Sequence, residues 1–282
     1  MPQTPLKACV IGSPITHSLS PKLHGFWLRE NNISGSYHAI DVPASDLKSF
    51  LSSLHRNGYQ GCNITLPHKI NALNFVDEIC PTAQNIGAIN TVIVCPDGKL
   101  FGTNTDAYGF ICNLKQQHPQ WHGAGKKALI LGAGGASRAV ISALINDGLS
   151  HIYISNRTRA HAEKLQTDFS NQTCILSTID WLEKEDILPQ IDLLVNTTSL
   201  GMVGKTKLQI DLSQLPTSAT VYDIVYCPLK TDLLRQAEKK SCPIVTGLGM
   251  LLHQGRPGFK AWFGCTPEVS ADLEKFMIEQ TS

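Results

Sequence analysis

The stretch from Lys126 to Thr158 constrains the fold more than any other part of the chain. Leu129, Ile130 and Leu131 form a short apolar run that breaks into Gly132-Ala133-Gly134-Gly135-Ala136-Ser137, after which Ala139, Val140, Ala143 and Leu144 recur with helical spacing. A second strand-like run, His151 to Ser155, follows. A turn without bulky side chains lets a pyrophosphate approach the backbone, and the helix that opens there offers free N–H groups and the positive end of its dipole. Glycine turns alone are common in α/β proteins. The strand-turn-helix-strand context is what points to a dinucleotide site at Gly132, Ala133, Gly134, Gly135 and Ala136.

The end of the second strand bears on which dinucleotide. A chain that prefers NAD usually carries an Asp or Glu about 20 residues beyond the glycines, where it binds the ribose 2′-hydroxyl. Here that place holds Asn156, Arg157, Thr158 and Arg159. Hydrogen-bond donors and positive charge suit a 2′-phosphate, so the expected cofactor is NADP. The alternative is an Arg pair that merely flanks a helix start in solvent.

At 282 residues, with 42% hydrophobic and 17% charged residues, the chain is expected to form two well-buried domains. Its 24 basic and 23 acidic side chains leave a net charge of +1 and no basic run, which argues against a nucleic-acid partner. The nine cysteines are scattered without a CxxC pair, and no HExxH occurs among the ten histidines. Reduced thiols in a cytoplasmic protein fit better than disulfides or a metal site. Ala8 to Ile11 is too short an apolar run for a signal peptide or a membrane span, so no membrane association is expected.

From the first residues onward the pattern is α/β. Lys7 to Ile11 reads as a strand, and Ser20-Pro21 as a helix N-cap with proline at the first position, before a face of Leu23, Phe26 and Trp27. Ser18 lacks that capping explanation, and together with Ser20 it could grip a small carboxylate beside the helix N-terminus. Tyr37 to Val42 reads as a strand and Ser45 to Asn57 as a helix. A strand ending in a polar, proline-containing turn then sets Asn63, Thr65 and Lys69 at a carboxyl end, where open α/β sheets bind ligands. A helix is expected through Phe75, and Asp97-Gly98 between apolar runs signals a hairpin. Asp106 opens a helix with an expected face of Tyr108, Ile111, Cys112 and Leu114, where an acid could simply be a cap.

A set of motifs in collinear order resembles the shikimate dehydrogenase family across nearly the whole chain. They are Ser18-Leu19-Ser20-Pro21, Asn63 through Lys69, Gly87 through Thr91, Asn104-Thr105-Asp106, the glycine turn, Asn156-Arg157-Thr158, Asn196 through Met202, Asp223 through Tyr226, and Gly247 through Gln254. The resemblance implies an NADP-dependent, reversible reduction of 3-dehydroshikimate to shikimate in aromatic amino-acid biosynthesis. It also implies an N-terminal α/β substrate-binding domain over 1–105, completed by C-terminal helices in 247–282, and a Rossmann-like domain over 106–246. Lys69 and Asp106 are then the expected proton-transfer pair. Ser18, Ser20, Asn63, Thr65, Asn90, Tyr226 and Gln254 are expected to bind substrate along with them, and Gly247 and Met250 join the cofactor residues. A monomer or homodimer with a small-molecule substrate is expected.

Three further expectations follow from the residues. Gly255-Arg256-Pro257-Gly258 should kink or interrupt the helix read from Leu248 to Phe263, because an interior proline loses a hydrogen bond. Pro267 to Ile278 reads as a last helix, and Asn171 to Gln190 as an ordinary strand and helix without a functional signature. A relative that oxidises quinate as well or instead, and a non-catalytic ligand sensor on the same fold, are the competing readings. Lys69 with Asp106 and an intact glycine turn speak against the sensor. For Lys69 the alternative role is to orient substrate while a water carries the proton.

Overall fold

The computed structural model describes residues 5–170 and 173–281, so Asn171, where the featureless stretch begins, lies outside the described residues. Two compact units emerge: the first runs to Gly109 and includes Leu251–Gln280, and the second is Phe110–Met250. Among the described residues no helix is long and apolar enough to cross a membrane.

The first unit is built from β1 (Leu6–Gly12), α1 (Ser20–Glu30), β2 (Gly35–Asp41), α2 (Leu47–Ser53), β3 (Tyr59–Ile64), β4 (Glu78–Ile79), α3 (Pro81–Ile86), β5 (Thr91–Val94) and β6 (Leu100–Thr103), with the start of α4 (Asp106–Gln117). Its sheet runs in the order β2-β1-β3-β5-β6-β4, parallel from β2 to β3 and antiparallel where β5 meets β3 and β6. Ile11, Leu47, Leu51, Leu54, Ile64 and Val92 are buried in one cluster that fastens α2 to the sheet. Register sets Asn63 opposite Thr91, so the polar end of β3 lies beside the start of β5.

The second unit continues with β7 (Lys127–Leu131), α5 (Gly135–Asn146), β8 (His151–Ser155), α6 (Arg159–Asp168), β9 (Ile175–Ile179), β10 (Leu193–Asn196), β11 (Thr220–Asp223), α7 (Asp232–Lys239) and β12 (Ile244–Val245). All its strand pairs are parallel, in the order β12-β11-β10-β7-β8-β9. Counted within this unit, that is the dinucleotide-binding order 3-2-1-4-5-6 read from the β9 edge, with its reversal between β7 and β10. The glycine turn leaves the carboxyl end of β7, which puts it at this switch point. The C-terminal elements are α8 (Leu248–Phe263) and α9 (Ala271–Glu279).

Several local expectations need correction. The N-cap of α1 is Leu19, and the hydroxyl that holds the helix start belongs to Ser18, whose Oγ accepts from the Ser20 N–H at 3.3 Å. The helix expected from Ser45 to Asn57 is a 3₁₀ turn, Ala44–Asp46, leading into the short α2, and the helix expected through Phe75 is a 3₁₀ segment, Asn71–Phe75. After β9 the expected helix is absent among the described residues; turns lead to a 3₁₀ segment at Leu188–Gln190, where Pro189 removes one backbone donor. On α4, Phe110, Asn113 and Leu114 are buried while Tyr108 is 42% exposed, because Asn113 donates to the Tyr222 hydroxyl at 2.6 Å and to the Thr246 carbonyl at 2.8 Å. Helix α8 runs unbroken through Pro257. Phe259, Trp262 and Phe263 are buried on it, and their packing offsets the missing bond. The last helix starts at Ala271 because the Ser270 side chain caps it, accepting from the Leu273 N–H.

Asp223, at the end of β11, is buried and ties the second unit together. Its carboxylate accepts from Asn196 Nδ2 at 3.0 Å, the Val225 N–H at 3.0 Å and the Thr231 hydroxyl at 2.7 Å, and Thr231 in turn caps α7. Burial outweighs these donors and pushes the Asp223 carboxyl up to about 6. A carboxyl raised in the fold binds its proton more tightly there than in the unfolded chain, so it contributes stability at acid pH that is lost as pH rises through about 6. Asp223→Asn should remove that dependence: between pH 7 and pH 4 the parent should gain about 2 kcal/mol relative to the variant. Denaturant melts across that range provide the check, and a pH-independent difference between the two proteins would contradict it.

Candidate functional site

In the first unit the polar residues singled out from sequence converge on one buried cluster. Lys69 Nζ donates to Asp106 Oδ2 across 37 positions of sequence, with only 14% of the lysine side chain and 6% of the aspartate side chain exposed. The other carboxylate oxygen, Oδ1, accepts from Asn90 Nδ2 at 2.8 Å. Asn90 is itself oriented without ambiguity. Its Oδ1 accepts from the Thr105 N–H at 2.8 Å, and a backbone N–H can only donate, so Nδ2 must face Asp106. Thr105 Oγ1 donates to the Gln254 carbonyl at 2.8 Å, and Gln254 Oε1 lies 3.2 Å from Asn90 Nδ2. Lys69, Asn90, Asp106 and Gln254 therefore form one connected set.

Asp106 owes its place to two local devices. Asn104 Oδ1 accepts from the Asp106 N–H at 3.0 Å, and Asn104 Nδ2 donates to the Ala88 carbonyl at 2.9 Å, which clamps the start of α4 to the segment before Asn90. Lys69 follows a tight turn in which the His68 N–H reaches the Thr65 carbonyl at 2.9 Å, and its own carbonyl accepts from the Ile89 N–H at 2.8 Å. Thr65, half-buried, bonds through its N–H to the Ile11 carbonyl at 2.9 Å, which sets it beside the end of β1. Asn63 joins the cluster from behind: Nδ2 donates to the Asn90 carbonyl at 3.2 Å and to Thr91 Oγ1 at 3.1 Å, while Oδ1 accepts from the Tyr37 hydroxyl at 2.6 Å. Ser18 and Ser20 stand apart from these bonds, at the start of α1.

An ammonium held against a carboxylate inside a mostly buried cluster can supply a proton to an oxygen that gains negative charge, and can take one back in the opposite direction. Thr91 and Thr105, which share this network, carried no role in the sequence reading, although both lie inside motifs quoted for the family resemblance. Tyr37 was legible only as a strand residue. Among the described residues no group of three or more His, Cys, Asp and Glu side chains could hold a metal ion.

The second unit supplies a cradle of a different kind. Gly132 has φ +111°, and a Cβ there would meet Thr197 Oγ1 at 2.7 Å, so only glycine fits the turn after β7. Thr197 donates to the Leu131 carbonyl at 2.6 Å; the Ser137 hydroxyl therefore donates to Thr197, 2.7 Å away, and accepts from the Gly134 N–H at 3.1 Å. These bonds pin the turn, with Gly135 the first residue of α5 and Ala136 behind it. A Cβ on Gly134 would meet nothing within 4 Å, so open space lies beside the turn there. That geometry fits a pyrophosphate.

Beyond β8, Asn156 Nδ2 donates to the Thr158 carbonyl at 2.9 Å, and Thr158 is the N-cap of α6 without a side-chain cap bond. Arg157 is exposed, whereas Arg159 is drawn to Glu163 at 2.8 Å and to Asp180 at 3.8 Å. Gly247 presses its backbone against Ile224 and Val225, and a Cβ would come within 2.7 Å of the Val225 carbonyl oxygen. Met250 is buried, and Tyr226 is half-buried just past β11, both in this unit.

Three family models match along the chain. Residues 10–92 match the shikimate dehydrogenase substrate-binding domain, 114–224 the shikimate/quinate 5-dehydrogenase model, and 247–274 the shikimate 5′-dehydrogenase C-terminal domain. A shikimate dehydrogenase (NADP(+)) of Paramagnetospirillum magneticum is 47% identical over 271 residues, covering 96% of this chain and 97% of the relative. Among solved structures, the shikimate 5-dehydrogenase of Thermus thermophilus in complex with NADP(H) and shikimate has a TM-score of 0.84 at 38% identity, with 98% of each chain covered. The quinate dehydrogenase of Corynebacterium glutamicum in complex with NAD has a TM-score of 0.89 at 28% identity, covering 98% of this chain and 99% of that one.

Proposed function

The chain belongs to the shikimate dehydrogenase family, and from that premise we propose that it interconverts 3-dehydroshikimate and shikimate with NADP(H), as a step in aromatic amino-acid biosynthesis. The observation that carries this reading is the mostly buried Lys69–Asp106 pair, braced by Asn90. Bound NADP(H) supplies the hydride donor or acceptor. The chain's own task is then to hold the substrate ring and to move one proton at the oxygen that changes between ketone and alcohol.

Lys69 takes the proton role. As hydride reaches a ketone, negative charge grows on its oxygen, and a positioned ammonium donates to it as the charge develops. Asp106 holds Lys69 aimed for that direction, and the same pair accepts the hydroxyl proton in oxidation. Thr65, Asn90 and Gln254 offer hydroxyl and amide groups to the ring, and Ser18 with Ser20 offers hydroxyls to the carboxylate. A site built to pair hydroxyls rejects analogues that lack them, because buried polar groups are then left unsatisfied. The expected location is the cytoplasm.

A second reading is favoured by one observation, the similarity to the quinate dehydrogenase with NAD. Arg157 and Arg159 oppose the NAD part of it, since the ribose of NAD calls for an acidic residue where this chain carries positive charge. Following reduced-nucleotide formation with shikimate and quinate side by side separates the two. Shikimate with NADP should give the highest kcat/KM; a higher value for quinate would overturn the primary reading.

Cofactor choice is assigned to Asn156, Arg157, Thr158 and Arg159, with Arg157 the leading contact because Arg159 is partly engaged by Glu163 and Asp180. Charge-assisted bonds to a phosphate are about twice as strong as neutral ones. Arg157→Ala should lower the NADP:NAD ratio of kcat/KM by about tenfold, equivalent to about 1.4 kcal/mol. An unchanged ratio would show that the 2′-phosphate is read elsewhere.

A further inference from the structure

Behind the Lys69–Asp106 pair lies a chain of hydrogen bonds whose every donor points the same way. The Tyr37 hydroxyl donates to Asn63 Oδ1 at 2.6 Å, Asn63 Nδ2 to Thr91 Oγ1 at 3.1 Å, Thr91 Oγ1 to Asn90 Oδ1 at 2.9 Å, and Asn90 Nδ2 to Asp106 Oδ1 at 2.8 Å. Neither amide can turn over. The Thr105 N–H fixes Asn90, and the Asn90 carbonyl, which can only accept, fixes Asn63. With Thr91 Oγ1 accepting from Asn63, its single hydrogen goes to Asn90. The direction of the chain is therefore set by covalent chemistry at each link.

The hydroxyls of Tyr37 and Thr91 are spent on links within this chain of bonds. Tyr37 is 6% exposed, Asn63 5% and Thr91 0%, and Asn63 has both amide hydrogens already engaged. The Tyr37 ring is clamped by His24, stacked at 3.9 Å with an interplanar angle of 1°. Burial holds His24 down to about 3, so that partner stays neutral and presents the same face to Tyr37 across the working pH range. A buried polar group left unsatisfied is costly, so a run of them needs every link intact. The one charged acceptor at its end is Asp106.

We infer that Tyr37, Asn63 and Thr91 are positioning residues for the reaction: a one-way hydrogen-bond relay that aims Asn90 at Asp106 and so holds the carboxylate where Lys69 needs it. Donors linked in one direction polarise one another, and the last of them, Asn90 Nδ2, meets the Asp106 carboxylate. Asn63 thereby acts on the substrate only through Asn90 and Asp106, rather than by bonding a ring hydroxyl itself. The kinetic part of this inference rests on the proposed dehydrogenase activity; the relay itself does not.

The test uses the full chain with Thr91→Val, Thr91→Ser and Tyr37→Phe. In ligand-free protein the Asp106 carboxylate ¹³C resonance and the Asn90 side-chain amide resonances should move in Thr91→Val, move less but in the same direction in Tyr37→Phe, and return toward the parent in Thr91→Ser. In turnover, Thr91→Val should lower kcat by about tenfold, with KM for shikimate and for NADP within about twofold of the parent, and Thr91→Ser should recover most of the rate. Tyr37→Phe, which loses one oxygen from a ring that stays packed, keeps the inference testable if Thr91→Val fails to fold. Resonances unmoved in Tyr37→Phe, or a rate loss as large in Thr91→Ser as in Thr91→Val, would overturn the relay. A parent protein inactive on shikimate would overturn the proposed function instead, and the resonances, read without substrate, would still decide the relay.

Discussion

A lysine and an aspartate that meet with little exposure to water dictate the construction of the first unit. Removing two charges from water costs several kcal/mol per ion, and their attraction offsets this only when the remaining donors and acceptors are satisfied. Asp106 meets that condition through Asn90 on one oxygen and Lys69 on the other, while Asn104 fixes its backbone. The surrounding sheet serves the same end: β3 delivers Asn63, the entry to β5 delivers Asn90 and Thr91, and the exit of β6 delivers Asn104, Thr105 and Asp106. A mixed sheet permits this, because the antiparallel β5 and β6 bring residues on either side of the Asp97-Gly98 hairpin back together.

In the second unit the constraint is backbone rather than charge. Gly132 occupies a conformation that side chains avoid, directly after the central strand of an all-parallel sheet, and Ser137 and Thr197 hold the turn through their hydroxyls. Asp223 plays the matching structural part at the end of β11, joining Asn196 to the cap of α7. The carboxyl ends of β7, β10 and β11 are thus cross-tied at the place where this topology leaves room for a ligand.

What was legible in the sequence was the part written in local pattern. The glycine turn, the strands on either side of it, the Asp97-Gly98 hairpin and the limits of α8 could be read from periodicity and turn chemistry. Misreadings occurred where a neighbouring side chain or tertiary packing overrode the simplest local pattern. Ser18 rather than Ser20 holds the start of α1, Asn113 is buried because Tyr222 and Thr246 are there to receive it, and Pro257 stays inside a helix whose aromatic face is buried. Spacing could not show that Lys69 meets Asp106, or that Tyr37 reaches Asn63 from two strands away; the first was supplied by resemblance and the second by the fold alone. Thr91 illustrates the general reason. A buried threonine in a strand looks like ordinary β-former chemistry until its hydroxyl is seen between two amides.

The central claim, that Lys69 moves the proton while Asp106 aims it, is tested most directly by the steady-state kinetics of Lys69→Ala in shikimate oxidation with NADP. Loss of a general acid–base group should lower kcat by roughly 10² or more while KM for shikimate changes little. A variant whose kcat stays near that of the parent while KM rises would show that Lys69 binds the substrate and that the proton travels by another route.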